Sequence, residues 1–270
     1  MTKTIDNPLG VISVPLTERP YIELWEKCKR SEEDIIFSEG LEKALKVTIN
    51  KEFVNNVALH TAIYLDSCGH EPNYTVTIQQ GLLVYAVFRN FLEKTNFDHY
   101  NVVDVGTARG FTALCMAKAL EDTKKTGTIH TIDVIPHNKK IYWRSIGDLT
   151  GKKTRHELIE DWSFLRDNFI KFYHGPSTAC LPNIDVDRIH FAFLDGKHDY
   201  ENVSYELSFI FNKQKEFDSI LCDDFTRVKY DGLVEAVLEY IEETKCKAFY
   251  IQGAKEDPKH PRRGYMLLER

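Results

Sequence analysis

Residues 102–133 read VVDVGTARGFTALCMAKALEDTKKTGTIHTID, and their reading decides the fold. An apolar strand runs into Asp104, and a glycine turn follows from Gly106 to Gly110. An amphipathic helix comes next, then a second strand ending in Asp133. Strand, glycine loop, helix, strand and acid together form a cradle for a nucleoside-containing cofactor. The glycine spacing narrows the choice. A dinucleotide fingerprint, GxGxxG, starting at Gly106 needs glycines at 108 and 111, where the chain has Ala108 and Phe111. A cofactor without phosphates fits the loop better. Gly106 lets the backbone approach a ligand, and Gly110 opens the helix with no side chain in the way. Asp104 is expected near a cationic group, and Asp133 is expected to accept both ribose hydroxyls.

Outward from this unit the chain alternates strands and helices. Candidate strands are 101–105, 128–133, 169–174, 189–195, 218–223, 247–252 and 264–269. Strands separated by helical segments imply a parallel sheet covered on both faces. KAFYIQ and GYMLLE differ, because the GAKEDPKHPRR between them is too polar and proline-rich for a helix. They are expected to pair as an antiparallel hairpin at one edge. The basic strip PKHPRRGY (258–265) reads as a solvated turn or a contact for a phosphate-bearing substrate or carrier. The connection from Val134 to Lys171 exceeds a simple crossover and holds Trp143, Trp162 and a capping box at Thr154–Glu157. It reads as a lid, an oligomer contact or a surface elaboration.

Upstream, residues 1–37 look irregular, with Pro8, Pro15 and Pro20, and 38–66 carry helical spacing. Residues 67–74 read as a loop. Thr77-Ile-Gln-Gln80 has the form of a second capping box, opening a helix with Ile78, Leu82, Tyr85 and Phe88. Gln79 and Gln80 are placed to reach the cofactor. We expect residues 1–75 to be a partly helical extension serving as a lid or oligomer contact, and 76–270 the main domain.

Composition sets bounds. The 270 residues carry 35 Lys+Arg against 41 Asp+Glu, a net charge of −6, which argues against a broad nucleic-acid surface. Six scattered cysteines without a CxxC pair read as reduced, buried thiols of a cytoplasmic protein. No apolar run approaches the roughly 20 residues of a membrane span, and MTKTIDNPLG is no signal segment.

A second set of residues lies at strand ends further along. IHFAFL ends in Asp195-Gly-Lys-His198, and DSIL ends in Cys222-Asp223-Asp224. Ligands of open α/β sheets bind outside the carboxyl ends of the strands. Asp195, Asp223 and Asp224 would therefore meet where the glycine loop opens. Three like charges at close range call for a cation. Mg²⁺ or Mn²⁺, which takes about six oxygens, is the natural partner. Any one of these aspartates alone reads equally as a turn or cap residue, Asp224 as a cap for a helix near Asp231; the conjunction is the signal.

The stretch from Asp104 to Asp133 resembles motif I of the class I S-adenosylmethionine (SAM) methyltransferases. The DGxHxY segment followed by an acidic pair resembles their metal-dependent O-methyltransferase branch, which includes antibiotic-sugar and catechol-type enzymes. The resemblance covers about 77–270. It implies a Rossmann-like α/β sheet of seven mostly parallel strands with an antiparallel C-terminal edge hairpin, plus the N-terminal helical extension. It implies SAM contacts from Asp104, Gly106, Thr107, Gly110, Phe111, Asp133 and Asp195, with Gly175 and Ser177 near the adenine. It implies Asp195, Asp223 and Asp224 as metal ligands and His198 as general base. The expected activity is methyl transfer to a hydroxyl of a small molecule such as a sugar, polyphenol or natural product, by a homo-oligomer needing neither nucleic acid nor membrane. A metal-independent methyltransferase acting on nitrogen or carbon, and a non-catalytic module, stay open. The turn before DSIL departs from the Pro-Gly-Gly common in that branch, and the first 70 or so residues match no family pattern.

Overall fold

The computed structural model describes residues 2–7, 10–15, 17–65, 74–253 and 264–270. The chain opens with an antiparallel hairpin, β1 (Thr2–Asn7) and β2 (Gly10–Pro15). Helices α1 (Arg19–Lys29), α2 (Glu32–Leu45) and α3 (Lys51–Thr61) follow. A short hairpin, β3 (Ile63–Leu65) with β4 (Tyr74–Val76), leads into α4 (Ile78–Lys94). The main sheet begins with β5 (Tyr100–Val105), α5 (Phe111–Asp122) and β6 (Gly127–Asp133). The long connection carries α6 (Arg155–Leu158) and α7 (Ser163–Phe169) before β7 (Ile170–His174). Then come α8 (Ser177–Cys180), β8 (Phe191–Leu194), α9 (Tyr200–Lys213) and β9 (Ser219–Cys222). The chain ends with α10 (Asp231–Thr244), β10 (Lys247–Gln252) and β11 (Gly264–Glu269).

The main sheet has seven strands in the order β10-β11-β9-β8-β5-β6-β7. Six share one direction, while β11 is reversed and pairs antiparallel with both β9 and β10. The expected edge hairpin is therefore present. The link between its strands, with most of the basic strip, lies outside the described residues, as do residues 67–73 of the expected 67–74 loop.

Period-two alternation puts successive side chains on opposite faces. Val102, Phe191, Phe193, Leu221 and Leu267 point to one core, shared with α4 and α5. Val103, Val105, Ala192, Leu194, Ile220 and Leu268 point to the other, under α9 and α10. Both faces are covered, which is why these strands read as continuous apolar runs. No described helix is long and apolar enough to cross a membrane.

Two upstream expectations are corrected. The described residues of 1–37 are not irregular: most of them form β1, β2, α1 and the start of α2. Pro20 sits in the first turn of α1, where its missing N–H costs nothing. Ser31 caps α2, and three acids fill that helix's first turn. α2 and α3 pack on α4, and α3 also on α5. Val54 and Val57 thereby join the core of the sheet's first face. The capping box at Thr77 is likewise absent. Its hydroxyl makes no cap bond, and the Gln80 side chain turns away to the strand ends. The second box is as read, with Thr154 and Glu157 each bonding the other's backbone N–H.

Candidate active site

The glycine loop is held by close approach. Gly106 has φ +100°, and a Cβ there would lie 2.1 Å from the Asp195 carbonyl oxygen. That position tolerates no side chain, and it fixes the end of β8 against the loop. Gly110, at φ +89°, starts α5. Ala108 takes a left-handed conformation, φ 44°, without being glycine, which costs about 1–2 kcal/mol. The loop offsets that strain with contacts from both ends. Ala108 N–H donates to Asp133 Oδ2 at 2.6 Å, and its carbonyl accepts from Arg155 Nε at 2.8 Å.

Asp104 departs from its expected place near a cationic ligand. It is fully buried, and its carboxylate accepts from Thr112 Oγ1 (3.1 Å) and Thr131 Oγ1 (2.5 Å). Thr107 Oγ1 lies 2.6 Å from Thr131 Oγ1, so three hydroxyls and one acid tie β5, β6, α5 and the loop together. Burial pushes the Asp104 carboxyl up to about 7, against the two hydroxyls that favour its charge. Phe111 is also enclosed, its ring lying where a Cβ on Gly81 would sit.

Asp133 ends β6 as expected, with its carboxylate engaged by the chain. Oδ1 accepts from Ile135 N–H at 2.7 Å, and Arg155 Nη2 lies 3.2 Å from Oδ2. Arg155 comes from the long connection and is fully buried. Its Nη1 has no hydrogen-bond partner. Burial lowers its guanidinium to about 10, opposed by Asp133 and Asp104. The connection is folded around this residue, with the Trp143 ring 5.1 Å away and Arg109 Nε bonded to the Trp143 carbonyl. Sequence reasoning missed Arg155, because nothing local marks an arginine as a partner for an acid on the preceding strand.

Gly175 has φ +144°, and Ser177 opens α8. The Ser177 hydroxyl donates to Glu206 Oε1 at 2.5 Å. Glu206 is buried, and desolvation raises its carboxyl to about 7. It too was missed, since a glutamate within α9 reads as surface.

At the ends of β8 and β9 the acids converge. Backbone bonds fix them: Asp195 N–H to the Val105 carbonyl (2.9 Å) and Asp223 N–H to the Leu194 carbonyl (3.0 Å). Asp224 sits at φ 51°, a left-handed conformation that aspartate tolerates better than most residues. His198 lies between two of the acids, with Nε2 3.5 Å from Asp195 Oδ1 and Nδ1 3.7 Å from Asp224 Oδ2. The Tyr230 ring packs edge-on against it at 4.4 Å. Burial opposes a charged His198, but Asp195, Asp224 and Asp223 outweigh it and raise its pKa. Asp195, His198 and Asp224 offer ligand atoms within 4.8 Å of one another. Asp223 faces differently: Oδ1 accepts from Asp224 N–H, and Oδ2 accepts from Gln80 Nε2. The same Gln80 nitrogen donates to Asp195 Oδ2 at 2.7 Å.

This donor set suits a divalent cation. Two carboxylates and an imidazole meet with Asp223 next to them, and among the described residues the buried His198 Nε2 has no hydrogen-bond partner.

A parallel sheet with its last strand reversed, a glycine loop after the central strand and an acid ending the next strand define the class I methyltransferase fold. Residues 103–225 match the model of the family described as Methyltransferase domain, so this stretch is similar to such domains. Solved structures agree on the fold. The O-methyltransferase TomG from Streptomyces achromogenes, involved in tomaymycin synthesis and solved with SAM, is 16% identical; 72% of this chain covers 81% of that one, with a TM-score of 0.51. An O-methyltransferase from Bacillus cereus in complex with SAH (S-adenosylhomocysteine) is 16% identical over 72% and 82% of the two chains, with a TM-score of 0.50. Cofactor-bound Rv0187 from MTB is 15% identical over 92% and 95%, with a TM-score of 0.54. The Rv0187 alignment spans nearly the whole chain. No curated protein sequence matches.

Proposed function

We propose that this protein is a divalent-metal-dependent O-methyltransferase that moves a methyl group from SAM to a hydroxyl of a small molecule. The observation that carries the reading is the convergence of Asp195, His198 and Asp224 at the mouth where the Gly106 loop packs on the end of β8. The solved O-methyltransferases of the same fold, two of them with SAM or SAH bound, support the donor and the acceptor atom.

SAM supplies an electrophilic methyl on a sulfonium. The loop at Gly106–Gly110 and Asp133 would hold it, with Gly175 and Ser177 on the adenine side. A divalent cation would be held by Asp195 and Asp224 together with Asp223, and would supply Lewis acidity that lowers the pKa of an acceptor hydroxyl. His198 takes the acceptor's proton as general base. Asp195 and Asp224 orient its ring and stabilise the imidazolium that forms. Alignment of hydroxyl and methyl in the closed site contributes much of the remaining rate.

The test is a panel of catechols, sugars and polyphenols incubated with SAM and Mg²⁺, read by SAH release. Turnover with one acceptor class, abolished by chelator and restored by Mg²⁺ or Mn²⁺, is the expected result. Full turnover in chelator would sink the metal and favour His198 acting as base with Asp195 and Asp224 as its only supports.

A further inference from the structure

Gln80 is an uncharged side chain that joins two of the site's acids. It is buried at the start of α4, and its amide NH₂ donates to Asp195 Oδ2 and Asp223 Oδ2 at once. Those acids lie 115 and 143 residues away. An amide that binds two carboxylates through hydrogen stands where positive charge is wanted.

We infer that Gln80 is a switchable ligand of the cation, donating N–H to the acids when the site is empty and presenting its carbonyl when the ion is bound. This rests on the metal reading above and deepens it. The two ends of a glutamine amide are nearly the same shape, and a half-turn about the last side-chain bond exchanges nitrogen for oxygen. With Nε2 at 2.7 Å from Asp195 Oδ2, the flip places Oε1 at a similar distance from that oxygen. Without a cation, a carbonyl there repels the carboxylate. Around an octahedral Mg²⁺, adjacent ligand oxygens stand about 2.9 Å apart. The spacing therefore suits two oxygens sharing an ion and disfavours the same two without one. A cavity of about 90 Å³, walled in part by Thr77, Gln79, Gln80 and Tyr265, adjoins the residue.

A carbonyl ligand also explains the donor count. Asp223 and Asp195 already share Gln80, while Asp195, His198 and Asp224 cluster on their own. One flip joins the two groups around a single ion. Gln80 is a positioning residue when the site is empty and a ligand when it is loaded.

The experiment measures Mn²⁺ affinity by electron paramagnetic resonance and metal-dependent Tm shifts, on wild type, Gln80→Leu, Gln80→Glu and Asp224→Ala. Gln80→Leu keeps the bulk and loses the carbonyl, so Mn²⁺ should bind about 10-fold or more weakly. Gln80→Glu adds a charged ligand. Its Tm without metal should fall below wild type, and Mn²⁺ should raise it by more than it raises wild type. Equal or tighter Mn²⁺ binding by folded Gln80→Leu would overturn the inference, leaving Gln80 as a plug that the ion displaces. A Gln80→Glu variant indifferent to Mn²⁺ would overturn it as well. If wild type binds Mn²⁺ and Asp224→Ala does not, the metal site stands whichever way Gln80 falls. If wild type binds none, both readings fall together.

Discussion

The two halves of the sheet's mouth hold their carboxylates in opposite ways. On the β5–β6 side, Asp104 and Asp133 have both oxygens engaged by hydroxyls, backbone N–H groups and a buried arginine. On the β8–β9 side, Asp195 and Asp224 flank His198 at 3.5 and 3.7 Å, longer than a good hydrogen bond. The first half is a finished scaffold whose charges are balanced by the chain itself. The second gathers three aspartates beside His198 and the Gln80 amide. Aspartates gathered at two adjacent strand ends suit a cation, whereas carboxylates tied to the chain's own donors hold a shape.

That contrast can be broken in order of effect. Gly106→Ala should be worst, because a methyl at 2.1 Å from a backbone carbonyl cannot be relieved by side-chain movement. We expect little soluble folded protein, seen as a lost cooperative transition in urea. Arg155→Met leaves the Asp133 charge buried without its cation, and breaking such a pair costs about 3–5 kcal/mol. Denaturant melts measure that loss, and SAM affinity should fall with it. On the other half, His198→Ala should leave the fold within about 1 kcal/mol of wild type. It should slow methyl transfer by about 10²–10⁴-fold with the acceptor that the panel identifies.

The smallest effect is a pH slope. The Glu206 carboxyl is raised by burial from 4.5 to about 7. The folded state then binds its proton more tightly than the unfolded state. Its contribution to stability is full below about 4.5 and is lost as pH rises through about 7. Glu206→Gln should flatten the fall in stability across that window, measured by urea melts at stepped pH. An unchanged slope would show that Glu206 is not its source.

The finished half was largely legible in the sequence. Gly106, Gly110 and Asp133 form a local pattern, spaced within one strand-helix-strand unit. The central strands announced themselves as apolar runs because both sheet faces are covered there, whereas β10 at the edge is largely exposed. What stayed hidden was long-range. Thr77-Ile-Gln-Gln80 has the letters of a capping box, yet Gln80 spends its amide on acids more than a hundred residues away. Arg155 was read only as part of a capping box, and its guanidinium reaches back to Asp133 and Ala108. Prolines made the N-terminal residues look irregular, although Pro20 helps to start α1. Asp104 shows the reverse error: an acid at a strand end read as ligand-facing is sealed inside by threonines.

The contrast between the two halves is tested most directly by two titrations of one sample: SAM by calorimetry, with and without chelator, and Mn²⁺ by electron paramagnetic resonance. The account predicts SAM affinity unchanged by chelator within about 3-fold, which is about 0.7 kcal/mol. It also predicts one Mn²⁺ site that Asp224→Ala abolishes. SAM binding that requires the metal, or a wild-type protein that takes up no Mn²⁺, would contradict it.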